Sequence, residues 1–172
     1  MEEIVTVEDP GERFAGHPDP DIDIAIMPIG GRLQQLWDAG RRVSFKAVGA
    51  DHCATDELLS RFEPIEPITF VGYPDGLYDA GSLLPIVRRG HSATALRIDY
   101  GNKPVFLVDA SVFPGSSGSP VFLIVPASTP DKYGNIMLGP TTKVVFLAWL
   151  RRSTIATCRC TRPLLSCHSL GS

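Results

Sequence analysis

A chain of 172 residues with 44% hydrophobic side chains is long enough to bury the core of one ordinary domain, or of part of a larger two-lobed one, and is not a disordered segment. Its formal charge of −3 supplies no electrostatic reason to bind nucleic acid or an anionic membrane. No apolar run approaches the ~20 residues that span a bilayer, and the acidic start MEEIVTVEDPGERF lacks the charged-then-apolar pattern of a secretory signal, so the cytoplasm is the default compartment.

With 16 glycines and 15 prolines the chain reads as a turn-rich β protein. DIDIAIMPI (21–29) alternates and then meets proline, which predicts a strand. RLQQLWDAG (32–40) predicts a helix, and RRVSFKAVGA (41–50) another short strand. TDELLSRF (55–62) predicts a second helix, with Thr55 as N-cap and acidic residues in its first turn. PITFVGYP (67–74) reads as a strand ending in a Gly/Pro turn. LLPIVRRGHSATALRI (83–98) reads as a strand broken or bulged at Gly90. KPVFLVDASVF (103–113), SPVFLIV (119–125) and TKVVFLAWL (142–150) complete the set. Short strands at regular spacing, with turn signals between them, predict a sandwich or barrel.

From Arg151 the composition shifts to RRSTIATCRCTRPLLSCHSLGS, with three cysteines and no apolar alternation. Cys53 stands alone, and Cys158, Cys160 and Cys167 lack the paired C-x-x-C spacing of a zinc site. The expectation is an atypical tail with exposed thiols, no metal and no organic cofactor.

The stretch that carries chemistry is VDASVFPGSSGSPVFLIV, residues 108–125. A nucleophilic serine needs its hydroxyl presented at a tight turn, with backbone N–H groups facing a developing oxyanion. Gly115 and Gly118 permit backbone angles that a side chain disfavours, and they let a substrate approach closely. Ser117 is then the nucleophile, and the N–H groups of Gly115 and Ser117 are the donors. A plain Gly/Ser hairpin turn uses the same residue types.

GSSGSPV preceded by VDASVFP resembles the active-site segment of the chymotrypsin-fold (trypsin-like) serine peptidases, most of all their bacterial trypsin-like and HtrA-type branch. The resemblance implies Ser117 as nucleophile and Gly115 with Ser117 as the oxyanion hole. It places Ser111, six residues earlier, at the base of the primary specificity pocket. A serine there lacks the carboxylate that selects basic side chains, so apolar or small residues are expected at the cleavage position. The residue before the nucleophile is Ser116, where vertebrate digestive members carry an aspartate used in zymogen activation.

HPDPDIDIAIMPI is similar to the acid-bearing segment of the same family, which makes Asp23 the triad acid ahead of Asp21 and Asp19. Asp23 and Ser117 lie 94 residues apart, against about 93 in the worked example of such a triad. FVGYPDGL resembles the strand that opens the second barrel, so the match spans residues 17–126. In that worked example the histidine base lies about 45 residues ahead of the acid, a place that here falls before Met1. His17 sits in an HP turn six residues before Asp23. His52, in GADHCA, mimics the neighbourhood of a family base but falls between acid and nucleophile. His91 and His168 read as surface residues. After the nucleophile, Ala148 and Trp149 stand where the family usually places a glycine.

The implied fold is all-β: a chymotrypsin-like double β-barrel, here only the last part of barrel one plus most of barrel two. Residues 1–40 would be the remnant of the first barrel, carrying the acid, and a linker. Residues 41–150 would be the second barrel, carrying the nucleophile, with 151–172 the atypical tail. The implied activity is a trypsin-like serine endopeptidase acting on a peptide or protein substrate through a Ser-His-Asp mechanism, with the histidine absent from this chain. The alternatives are a catalytically inactive peptidase-like fragment and a peptide-binding β-barrel module.

Overall fold

The computed structural model describes residues 14–18, 24–43, 45–79, 81–151 and 155–157. The chain divides into two compact units, Met1–Val48 and Gly49–Ser172. In the first unit, β1 (Ala15–Gly16) pairs antiparallel with β2 (Ala25–Ile26), and the His17 N–H donates to Ile24 O at 2.8 Å. The expected strand over 21–29 thus keeps two residues, and its first three positions lie outside the described residues.

Helix α1 (Gly30–Asp38) begins two residues before the expected start and stops two before the expected end. Its good helix formers, from Arg32 to Leu36, offset the two glycines that open it without a side-chain cap. Gly40 ends it with a φ of +72°, the left-handed conformation that glycine adopts at little cost. The strand expected over 41–50 does not form among the described residues. Its alternation is real, but no neighbouring strand is paired there. Phe45, which a strand would bury, instead stacks on Trp37 with ring centroids 6.5 Å apart.

The second unit opens with a 3-10 turn (Ala50–His52) and the short helix α2 (Asp56–Leu59). Thr55 caps α2 as expected: its Oγ1 accepts the Leu58 N–H at 3.1 Å, and Asp56 and Glu57 lie in the positively polarised first turn. The helix is shorter than 55–62 because the chain then turns to bury Phe62 beside Leu59 in the core. Thr55→Ala should cost about 1 kcal/mol by urea denaturation, and Thr55→Ser much less.

The barrel itself is built from β3 (Pro67–Gly72), β4 (Ile86–Ser92), β5 (Val105–Asp109), β6 (Pro120–Val125), β9 (Lys143–Arg151) and β10 (Ile155–Thr157). These close in the order β10-β5-β4-β3-β6-β9, every pair antiparallel. The fold is all-β in character. Closure leaves no described barrel strand with a bare edge to template pairing with another chain. Ile68 and Phe70 of β3, Phe106 and Val108 of β5, and Val121 and Leu123 of β6 alternate inward and form the core.

Strand β9 departs from alternation, and Val145, Phe146, Leu147 and Ala148 are all buried. The register explains this. Val121 faces Ala148 while Phe122 faces Phe146, so Leu147 is the extra residue of a bulge. On its other side, Cys53 bridges Phe146, and the Ala54 N–H donates to Phe146 O at 2.9 Å. Cys53 is also engaged in a disulfide, so it does not stand alone.

Two local expectations change. Gly90 neither breaks nor bulges its strand: β4 is continuous and Gly90 pairs with Ile68 in register. Glycine is needed because a Cβ there would collide with the Ala110 Cβ and sit 2.6 Å from Asp109 O. The segment from Arg151 onward contributes β10, which closes the barrel. A small hairpin of β7 (Ser128–Pro130) and β8 (Ile136–Leu138) forms a separate two-stranded sheet, with Met137 packed against the core; the Asp131 carboxylate shapes its turn by accepting the Tyr133 and Asn135 N–H groups. Among the described residues no helix is long and apolar enough to cross a membrane.

Where the chain enters β3, the buried Ser92 hydroxyl accepts the Glu66 N–H at 2.9 Å. Burial holds the Glu66 carboxyl above the usual carboxylate range; the Glu63 N–H opposes this, and the Glu63 charge adds to it. A carboxyl raised by the fold stabilises it fully below the unfolded pKa. That contribution is lost as pH climbs through the folded value. Glu66→Gln keeps an acceptor for the Glu63 N–H without the charge. Its thermal midpoint should therefore match wild type near about pH 3 and exceed it increasingly towards about pH 7.

Candidate functional site

The glycine-serine segment connects β5 to β6. Asp109 ends β5 opposite His91, and Ala110 packs into the space that Gly90 leaves open. Ser111 is exposed, Val112 rests against the core, and Phe113 is half exposed. Proline at 120 then starts β6.

Between these points the turn is pinned to three parts of the barrel. Pro114 O accepts the Asp75 N–H at 2.8 Å, tying the turn to the loop after β3. The Gly118 N–H donates to Leu150 O, and the Leu150 N–H to Ser119 O, both at 2.8 Å, tying it to β9. Beneath it, the Arg88 guanidinium of β4 donates to Ser116 Oγ at 2.9 Å. Inside the turn, the Ser116 N–H and hydroxyl both donate to Phe113 O, at 3.2 and 2.6 Å.

The two glycines have different reasons. Gly115 has a φ of +77°, and a Cβ there would lie 2.7 Å from Asp75 N, in contact with backbone. Gly118 has a φ of +84°, but open space surrounds the place of its Cβ. Gly72 makes room for the turn as well, since a Cβ there would strike the Ser119 hydroxyl.

The consequence for the serines is clear-cut. Ser116 is 1% exposed and Ser119 5%, both turned into the barrel. Ser117, between them, is exposed. Among the described residues, the Gly115 N–H, two positions before Ser117, donates to none. Ser117 is thus an exposed serine two residues from an N–H that no described group accepts, on a backbone pinned at both ends.

The sequence alone does not single out Arg88, which lies in the stretch 83–98 that reads as a strand. The register supplies the missing signal: Arg88 pairs with Phe70, an inward residue, so it shares the inner face. Its guanidinium carbon lies 4.6 Å from the centre of the Phe70 ring. Nε and Nη1 are buried and have no hydrogen-bond partner among the described residues. Burial lowers the Arg88 pKa, but from so high a value that the group stays charged. Two buried donors without acceptors cost on the order of 1–3 kcal/mol each. The cation–π contact returns about 0.5–2 kcal/mol. The bond from Nη2 to Ser116 offsets a further part of that cost.

Other expected site residues fall elsewhere. Asp23, with Asp21 and Asp19, lies outside the described residues, as does His168. His17 belongs to the first unit. His52 Nδ1 is 3.0 Å from Asp51 Oδ1 of its own turn. His91 is an exposed residue of β4, opposite Pro67 and Asp109. The structure thus brings Gly115, Ser116, Ser117 and Arg88 together, with Ser111 at the start of the same loop.

No protein-family model, no curated protein and no solved structure matches the chain. The functional reading consequently rests on the turn itself and on the segments that resemble the peptidase family.

Proposed function

We propose that the second unit is the nucleophile-bearing barrel of a chymotrypsin-fold serine endopeptidase. The observation that carries the reading is the exposure of Ser117 on a pinned turn, between two glycines of positive φ, with its serine neighbours buried. In this reading Ser117 Oγ attacks the carbonyl carbon of a peptide bond. Negative charge develops on the carbonyl oxygen, and the Gly115 and Ser117 N–H groups stabilise it. Collapse of the tetrahedral intermediate breaks the C–N bond, leaves an acyl group on Ser117 and releases the amine. Water then hydrolyses the ester. Ser111, exposed on the approach to the turn, faces the side chain at the cleavage position and favours an apolar or small one. Asp23 is the acid.

A closed six-stranded antiparallel barrel supports this assignment, because the family fold is two such barrels with the site in the cleft between them. The general base is assigned to no residue of this chain. A serine without a base is a weak nucleophile, and exogenous imidazole can supply the missing proton acceptor.

The test is labelling of the folded chain with a fluorophosphonate probe across an imidazole series, with the modified residue located by mass spectrometry. The expected result is modification of Ser117 at a rate that rises with imidazole. Modification without imidazole that His52→Ala abolishes would make His52 the base. No modification of Ser117 at any imidazole concentration would overturn the peptidase reading and leave a non-catalytic peptide-binding barrel.

A further inference from the structure

We infer that Arg88 is a positioning residue, setting the conformation of the 115–118 turn from inside the barrel. The catalytic consequence of this rests on the peptidase reading; the conformational one does not.

The turn has little stiffness of its own. Gly115 and Gly118 can each adopt either sign of φ, so the peptides between them can reorient at small cost. The backbone bonds to Asp75 and Leu150 hold the two ends of the turn, and the buried side chain of Ser116 orients the peptides between them. Its hydroxyl closes a small ring with Phe113 O, and the Ser116 N–H donates to that same carbonyl. Gly115, whose N–H is uncommitted, lies within this ring. Arg88 reaches it from β4, 28 residues earlier in the chain, with the Nη2–Ser116 Oγ bond. Because the hydroxyl proton is given to Phe113 O, the oxygen lone pairs are what remain, and a permanent cation is the donor that suits them. The Phe70 ring below holds the guanidinium plane. An apolar side chain at 88 would fill the same space without two orphaned donors. The arginine is thus explained by the turn it holds.

It follows that the turn is set as soon as the barrel folds. The cation that fixes it belongs to a barrel strand, so no cleavage or bound effector is required to bring the Gly115 and Ser117 N–H groups into place.

The experiment is residue-resolved hydrogen exchange on wild type, Arg88→Met, Arg88→Lys and Ser116→Ala. The reporters are the Ser116, Gly118 and Ser119 amides, each hydrogen-bonded within or from the turn. Amides of the β3–β6 pair, Phe70 and Val121, are the controls. Arg88→Met and Ser116→Ala should each speed exchange at the three turn amides by roughly tenfold or more while the controls change by less than about twofold. Arg88→Lys, which keeps the charge, should recover part of the protection. Turn amides as slow in Arg88→Met as in wild type would overturn the inference. A uniform acceleration across the barrel would do so too, because it would make Arg88 an ordinary contributor to stability. Should Arg88→Met fail to fold, Arg88→Lys and Ser116→Ala carry the comparison. Imidazole-dependent labelling of Ser117, measured on the same variants, should fall at least about tenfold in Arg88→Met. If wild type is not labelled, the peptidase reading fails on its own and exchange still decides the role of Arg88.

Discussion

Ser117→Ala is expected to abolish fluorophosphonate labelling, with imidazole or without it. Four serines lie in the segment, and their settings differ enough to make the prediction sharp. Ser116 and Ser119 are buried, and Ser116 is already committed to Phe113 and Arg88. Ser111 is exposed but lies outside the glycine-flanked turn, so it serves as an internal control for non-specific modification. In a serine peptidase with all its parts, loss of the nucleophile costs about six orders of magnitude in kcat. With no base assigned, the expected rate starts far lower, from the ~10³–10⁴-fold over water that an oxyanion site and binding supply. Covalent labelling accumulates over time and suits such slow rates better than turnover. Labelling that persists in Ser117→Ala would place the reactive group elsewhere and remove the basis of the proposal.

The second large effect is a contrast between the two turn glycines. Alanine at either position must adopt a positive φ, which costs about 1–2 kcal/mol. At Gly118 nothing else stands in the way, so Gly118→Ala should lose about that much by chemical denaturation. At Gly115 the new Cβ would also press on Asp75 N at 2.7 Å, with Asp75 Cα and Tyr73 O each at 3.4 Å. These are backbone atoms, so no flexible side chain can swing away. Gly115→Ala should therefore cost roughly 2–4 kcal/mol and break the Asp75–Pro114 bond that anchors the turn. Equal losses at the two positions would show that the loop after β3 gives way freely, and that the turn is not held as described. Gly115→Ala should also suppress Ser117 labelling more than Gly118→Ala does, because it displaces the donor itself.

Much of this barrel was legible because its strands carry two-residue alternation, and alternation is the direct imprint of a wall with one buried face. That holds for β3, β5 and β6. The glycine-serine turn was legible for a related reason: positive φ leaves glycines in the sequence. What escaped depends on partners distant in the chain. Gly90 looks locally like a strand breaker, and its cause, Ala110, lies twenty residues on. Residues 41–50 alternate as a strand should, yet no neighbouring strand is paired with the described ones. Ile155–Thr157 and the β7–β8 hairpin are three-residue strands, too short to carry a period. Arg88 was invisible because two adjacent arginines say nothing about which one faces inward until pairing with Phe70 fixes the register. The choice of Asp23 rests on the resemblance of its segment and on its spacing from Ser117, since it lies outside the described residues.

The most direct measurement is a crystal structure of the chain carrying a phosphonyl group on Ser117, grown with imidazole present during labelling. The account predicts that the phosphonyl oxygen sits about 2.7–3.1 Å from both the Gly115 and the Ser117 nitrogens, with Ser116 still bound to Arg88 beneath. A phosphonyl oxygen turned to solvent, away from both N–H groups, would contradict it and reduce the segment to a surface turn.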